Sequence, residues 1–167
     1  MNSSIASFLN IDILKGSQIL VVDNDVDSGV LYTIFFTQFG ANVMTSSSIK
    51  GALEILNWFI PNIIICEIRF LGESVYKLFN KLNVMEVENK NYIPVIVTST
   101  SSTGIISEIP EVELERYLIK PVDIDQLTLM IINLFATGKK NLLDCPSKQK
   151  YSNKIEVKES LLMQMDV

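Results

Sequence analysis

Pro61-Asn62-Ile63-Ile64-Ile65-Cys66-Glu67 is the stretch that decides the fold. A turn pair opens it, an apolar run with a triple Ile follows, and a carboxylate closes it. A short apolar run between turn signals reads as a strand buried on both faces, the pattern of a parallel sheet. In open α/β sheets, ligands and chemistry lie just beyond the carboxyl ends of such strands. That rule sets Glu67 at a functional edge, and the other strand ends decide what stands beside it.

Upstream, Gln18-Ile19-Leu20-Val21-Val22 reads as a strand ended by Asp23-Asn24-Asp25. A helix follows, with Val30, Leu31, Ile34, Phe35, Gln38 and Phe39 as its expected stripe and Gly40 as its stop. Residues 41–45 form a shorter strand. Ser46, Ser47 and Ser48 offer caps for a second helix, with Ile49, Ala52, Leu53, Leu56 and Ile60 facing inward and Pro61 ending it.

Downstream of Glu67, a loop over 68–74 leads to a helix carrying Val75, Leu78, Phe79 and Leu82, then a polar connection over 86–91. Pro94-Val95-Ile96-Val97-Thr98 is a fourth buried strand ending at Ser99. Gly104 and Pro110 weaken the helix expected next. Residues 115–119 read as a fifth strand ending at Lys120-Pro121. Asp123 and Gln126 resemble a capping box ahead of a last helix with Ile124, Leu127, Met130, Ile131 and Leu134 on one face. Strand and helix alternate regularly, which implies a doubly wound, five-stranded parallel sheet in a three-layer α/β/α arrangement.

Such a sheet brings its strand ends to one edge. Asp23, Asn24, Glu67, Ser99 and Lys120 would therefore converge: two carboxylates, an amide, a hydroxyl and an ammonium. The organisation expected is an extension over 1–16, a domain over 17–138 and a polar tail over 139–167.

Composition narrows the function. A chain of 167 residues suits one domain with short extensions, and 48% hydrophobic residues suffice for a core. A net charge of −5 argues against nucleic acid as a direct partner. With no histidine, a His-dependent triad, a His-ligated zinc and a phosphohistidine relay within the chain are excluded. Cys66 and Cys145 make no disulfide framework, and Cys66 reads as a small core hydrophobe. No apolar run approaches the length of a bilayer span, and no charged start precedes Lys15, so a cytoplasmic protein is expected.

Five motifs in order resemble the receiver domain of two-component response regulators, CheY-like in fold, over about residues 15 to 137. Residues 19–25 resemble the opening strand with its acidic pair, and 61–67 the strand with the phosphoacceptor. Residues 94–99 resemble the strand ending in the Thr/Ser switch, and Tyr117-Leu118-Ile119-Lys120-Pro121 the aromatic switch and Lys-Pro signature. The resemblance implies a flavodoxin-like sheet in the order 2-1-3-4-5 and a phosphorelay role without enzymatic activity of its own. In the family an Asp accepts a phosphoryl group from a histidine kinase, with Mg²⁺ neutralising the oxygens. The Lys pairs with the phosphoryl group, the hydroxyl closes onto it and the aromatic swings inward. The face built by the helix between strands four and five, the fifth strand and the last helix then changes its affinity for an effector or a second copy.

The sequence departs from this pattern where the chemistry is most demanding. Glu67 stands at the phosphoacceptor position, its carboxylate on the order of 1.5 Å further out; in-line attack tolerates little misplacement. Asn24 replaces the second acid, removing charge from a site that would hold a hard cation. Asp23 and Glu67 remain as ligands for at most weakly bound Mg²⁺. Leu71 replaces the loop's usual Pro, and Arg69, where a backbone carbonyl would face the metal, could turn its guanidinium into the pocket. Three functions compete: a receiver-like module working by protein contact without the usual phosphorylation, a phosphorylatable receiver, and a flavodoxin-like ligand-binding domain. The last lacks a glycine-rich phosphate loop. Against each sharp reading stands a bland one, in which Glu67 is a solvated strand-end charge, Ser99 a turn residue and Tyr117 an edge-strand aromatic.

Overall fold

Ile63–Glu67 is a strand, β3, and all five of its residues are buried. Around it lie β1 (Gln18–Val22), β2 (Asn42–Ser46), β4 (Val95–Ser99) and β5 (Tyr117–Ile119), all parallel, in the order β2-β1-β3-β4-β5. This is the expected doubly wound topology. The computed structural model describes residues 13–89, 92–100 and 117–138. The expected extension, the helix between β4 and β5 and the tail beyond 138 lie outside the described residues. The chain divides into two units, Met1–Asn133 and Leu134–Val167, and the second contributes to the described residues only the end of one helix.

Four helices are described: α1 (Val26–Gln38), α2 (Ile49–Ile55), α3 (Tyr76–Asn89) and α4 (Ile124–Gly138). Their starts follow from local chemistry. Asp25 caps α1, accepting from the Asp27 N–H, and Ser48 caps α2, accepting from Gly51. Asp123 Oδ1 accepts from the N–H groups of Asp125 and Gln126 at the start of α4. After α1 the chain turns at Gly40, whose φ of 86° only glycine adopts without strain.

Parallel strands alternate their side chains between faces. Leu20, Val22, Ile64 and Cys66 point to one face, where Ile49, Ala52, Leu56, Val75, Leu78, Leu82 and Met85, from α2, α3 and the residues flanking them, cover them. Ile19, Val21, Ile63 and Ile65 point to the other and are equally buried. Burying a whole aliphatic side chain contributes about 1.5–3 kcal/mol, so the triple Ile is a main source of stability.

Three expectations need correction. On α1 the buried residues are Gly29, Tyr32 and Phe36, whereas Val30, Leu31 and Ile34 are 51%, 55% and 57% exposed. The helix is apolar around most of its girth, so periodicity alone does not single out the inner face. α2 stops at Ile55, a turn short of the Pro61 boundary, so Phe59 is buried in place of Ile60. α3 runs through the expected polar connection as far as Asn89. Met85 is buried there, and Glu86 accepts from the Ile93 N–H, so that turn is held at both ends.

Candidate functional site at the carboxyl edge of the sheet

Register explains why two carboxylates meet. Val21 lies beside Ile65 and Val22 beside Cys66, so the next residues, Asp23 and Glu67, stand level on adjacent chains. Asp23 shares the parity of Val21 and Glu67 that of Ile65, so both lean to the same side of the sheet. Ser99 pairs with Ile119, and the Lys120 N–H donates to the Ser99 carbonyl at 2.7 Å. Lys120 is thereby set one step beyond β5, from where its side chain reaches across the edge.

The Lys120 ammonium lies 2.8 Å from Asp23 Oδ1, 2.7 Å from Asp23 Oδ2 and 3.2 Å from Glu67 Oε2. Both carboxylates are buried, Asp23 at 4% and Glu67 at 2% exposure. Charges removed from water this far persist only when paired and hydrogen-bonded. Asp23 Oδ1 also accepts from the Asp25 N–H at 2.9 Å, while Oδ2 has the ion pair but no aligned hydrogen bond. Glu67 folds back on its own loop: Oε1 accepts from the N–H groups of Ile68 at 2.8 Å and Arg69 at 3.0 Å.

The field of these groups reaches their neighbours. Burial works against the Lys120 charge, but the hydrogen bond and charge of Asp23, then those of Glu67, outweigh it and raise the ammonium above its ordinary value. Burial first, then the charges of Asp23, Asp25 and Glu67, push the Tyr32 phenol up to about 12. Burial, then the same two buried carboxylates, raise the Cys66 thiol, which keeps its proton and is no nucleophile. The Ser28 hydroxyl leads in holding Asp25 below its usual value.

Of the residues expected at this edge, Asp23, Glu67 and Lys120 form one connected cluster. Asn24 is exposed and turns outward to the loop after β3, where its Nδ2 donates to the Arg69 carbonyl at 3.0 Å. Ser99 ends β4 fully buried, and half-buried Tyr117 lies beside Val97 in β5. Arg69 is exposed, and the cation between the carboxylates is Lys120, not the Arg69 guanidinium. Two residues had not been singled out. Tyr32 stands among the charges, hidden by the misread face of α1. Glu73 accepts from the N–H groups of Ile49 at 2.7 Å and Lys50 at 3.1 Å, tying the loop after β3 to the start of α2. No local pattern announces a partner 24 residues away.

A divalent ion at this edge would look for oxygens from Asp23, Glu67 and the Arg69 carbonyl. Mg²⁺ demands near-octahedral oxygen coordination. Here Asp23 and Glu67 Oε2 face an ammonium, Glu67 Oε1 accepts two N–H groups and the Arg69 carbonyl accepts an amide. Among the described residues, no group of three or more His, Cys, Asp or Glu is placed to hold a metal. In this arrangement the residues do not fit the ion.

Comparisons with known proteins agree on the fold. The chain is 28% identical to the Regulator of RpoS of Escherichia coli (strain K12) over 155 residues, covering 92% of this chain and 42% of that protein. It is 26% identical over 136 residues to the Luminescence regulatory protein LuxO of Vibrio campbellii, covering 78% of this chain and 29% of the relative. The chain thus spans less than half the length of these curated relatives. Among solved structures, the receiver domain of the Francisella response regulator 1452 superposes with a TM-score of 0.58 at 25% identity, covering 75% of this chain and all of that one. TrrA from Thermotoga maritima, solved in complex with Mg²⁺-BeF, matches with a TM-score of 0.58 at 17% identity over 71% of this chain and 98% of its own, which speaks for the fold alone. The response regulator receiver domain model matches residues 19–132, and the chain belongs to that family of two-component signalling domains.

Proposed function

We propose that this receiver domain works with Glu67 as a fixed carboxylate and signals by protein contact, without accepting a phosphoryl group at that position. The disposition of Glu67 carries the reading. A nucleophile needs a lone pair free and aligned with the incoming phosphorus. Glu67 commits Oε1 to the Ile68 and Arg69 N–H groups and turns Oε2 to Lys120. The extra methylene is used to reach back to the loop. The ammonium that would meet a phosphoryl group instead meets a permanent carboxylate, with one negative charge against roughly −2 for a phosphoryl group.

Receiver domains interact with histidine kinases or downstream effectors, and this one is proposed to offer its partner a surface that includes Tyr117, with Ser99 and Tyr117 in the switch positions. The name of the Escherichia coli relative, Regulator of RpoS, is compatible with a regulatory module of this kind. An acidic chain with net charge −5 is a poor fit to nucleic acid. No described helix is long and apolar enough to cross a membrane.

The test is chemical. Wild-type protein incubated with acetyl phosphate and Mg²⁺ is expected to gain no hydroxylamine-labile phosphoryl group. The double variant Glu67→Asp with Asn24→Asp, which restores the shorter nucleophile and the second acid, is expected to gain some. Ready labelling of wild type at Glu67 overturns the proposal in favour of a phosphorylatable receiver.

A further inference from the structure

We infer that a side-chain amide and an internal ammonium take the place of a divalent ion in this domain, so that the two loops of the site are joined without a metal. The inference goes beyond the proposed function and does not rest on it, because a domain that is never phosphorylated could still hold Mg²⁺.

A cation between the loops leaving β1 and β3 would do two things: neutralise the carboxylates and tie the loops together. Both tasks are already assigned to residues of the chain. Lys120 neutralises, with its ammonium 2.7 and 2.8 Å from the Asp23 oxygens and 3.2 Å from Glu67. Asn24 ties, since its Nδ2 crosses from the first loop to the Arg69 carbonyl of the second at 3.0 Å. A carboxylate at position 24 could not make that bond. Two acceptors, a carboxylate and a carbonyl, can share a site only through a cation or a bridging water, whereas an amide donates to the carbonyl directly. The substitution therefore removes the need for the ion as well as part of its charge.

The second loop is also held by further hydrogen bonds. The Ile68 and Arg69 N–H groups bond Glu67 Oε1, and Glu73 bonds the N–H groups of Ile49 and Lys50 at the start of α2. Asn24 joins this loop to the first. In this scheme Asn24 is a positioning residue. It sets the Arg69 carbonyl, and through it the turn that presents two N–H groups to Glu67.

The experiment uses the full chain and MgCl₂ alone, read by backbone amide NMR and hydrogen exchange. In wild type, the amides of Asp23, Asn24, Ile68 and Arg69 are expected to show no saturable shift up to about 20 mM MgCl₂, a generous ceiling for an ion that dehydrates reluctantly. In Asn24→Ala the Ile68 and Arg69 amides should exchange about fivefold faster, the scale of one lost hydrogen bond, and Mg²⁺ should not restore their protection. In Asn24→Asp the same amides should exchange faster without Mg²⁺, then shift saturably and regain protection with it. Saturable shifts in wild type overturn the inference, as does unchanged exchange in Asn24→Ala. An Asn24→Asp protein indifferent to Mg²⁺ assigns the closure to Lys120 alone and overturns the role of Asn24. Position 24 is exposed, so all three proteins should fold, and a thermal melt checks this. Phosphate enters nowhere, so the outcome is independent of the phosphorylation test.

Discussion

The carboxyl ends of β1 and β3 each carry one buried carboxylate, yet they hold its charge in different ways. Asp23 has a single backbone N–H, from Asp25, and depends on an ammonium 97 residues away along the chain. Glu67 has two N–H groups from its own loop, with the same ammonium further off at 3.2 Å. Charge at the β1 end is balanced by tertiary structure, whereas at the β3 end it is balanced largely by the local chain. Conservative changes should therefore cost unequal amounts at two positions that look equivalent.

The largest effect is expected from Lys120→Met, which leaves both carboxylates buried without their cation. A loss of about 3 kcal/mol should appear as a lower urea midpoint, the scale for breaking a buried pair from one side. The pH dependence has a definite sign. The Lys120 ammonium is raised above its ordinary 10.5, so its contribution is complete below 10.5 and fades as pH climbs through the higher folded-state value. The stability gap between wild type and Lys120→Met should be constant from neutral pH to about 10 and narrow only beyond it. Narrowing below 9 would place the proton elsewhere.

Asp23→Asn is expected next, at about 1–2 kcal/mol, because an amide N–H donor replaces Oδ2, the oxygen 2.7 Å from the ammonium, while Oδ1 keeps the Asp25 N–H. Glu67→Gln is expected to cost least, under about 1 kcal/mol. Its amide oxygen can still accept from Ile68 and Arg69, removing one of two like charges relieves repulsion between them, and the amide nitrogen that replaces Oε2 meets the ammonium only at the longer 3.2 Å. A Glu67→Gln protein less stable than Asp23→Asn would reverse the comparison and make Lys120 chiefly the partner of Glu67. The same variant also bears on function. If the fixed charge sets the surface that includes Tyr117, Glu67→Gln should weaken binding of the effector.

The strands were legible because a doubly buried strand needs a continuous apolar run, and few other structures do. Gln18–Val22 and Ile63–Glu67 have the expected bounds. The last helix was legible too: Leu127 and Ile131, both on the expected face, are fully buried. The first helix was not. Val30-Leu31-Tyr32-Thr33-Ile34-Phe35-Phe36 offers several apolar faces, and only contact with the sheet chooses Tyr32 and Phe36. It leaves Val26, Val30, Leu31 and Ile34 at the surface.

The sequence by itself determined the alternation of strand and helix and the chemistry at each strand end, Glu67 and Asn24 included. These are properties of short stretches, read from composition and spacing. Only the tertiary structure decided which atoms pair. It chose Lys120 over Arg69 as the cation, turned Glu67 back onto its own loop and gave the Arg69 carbonyl to Asn24. The reason is geometric: a hydrogen bond needs its atoms within about 3 Å. Placement that fine depends on the mutual register of β1, β3, β4 and β5, which no single stretch of chain contains.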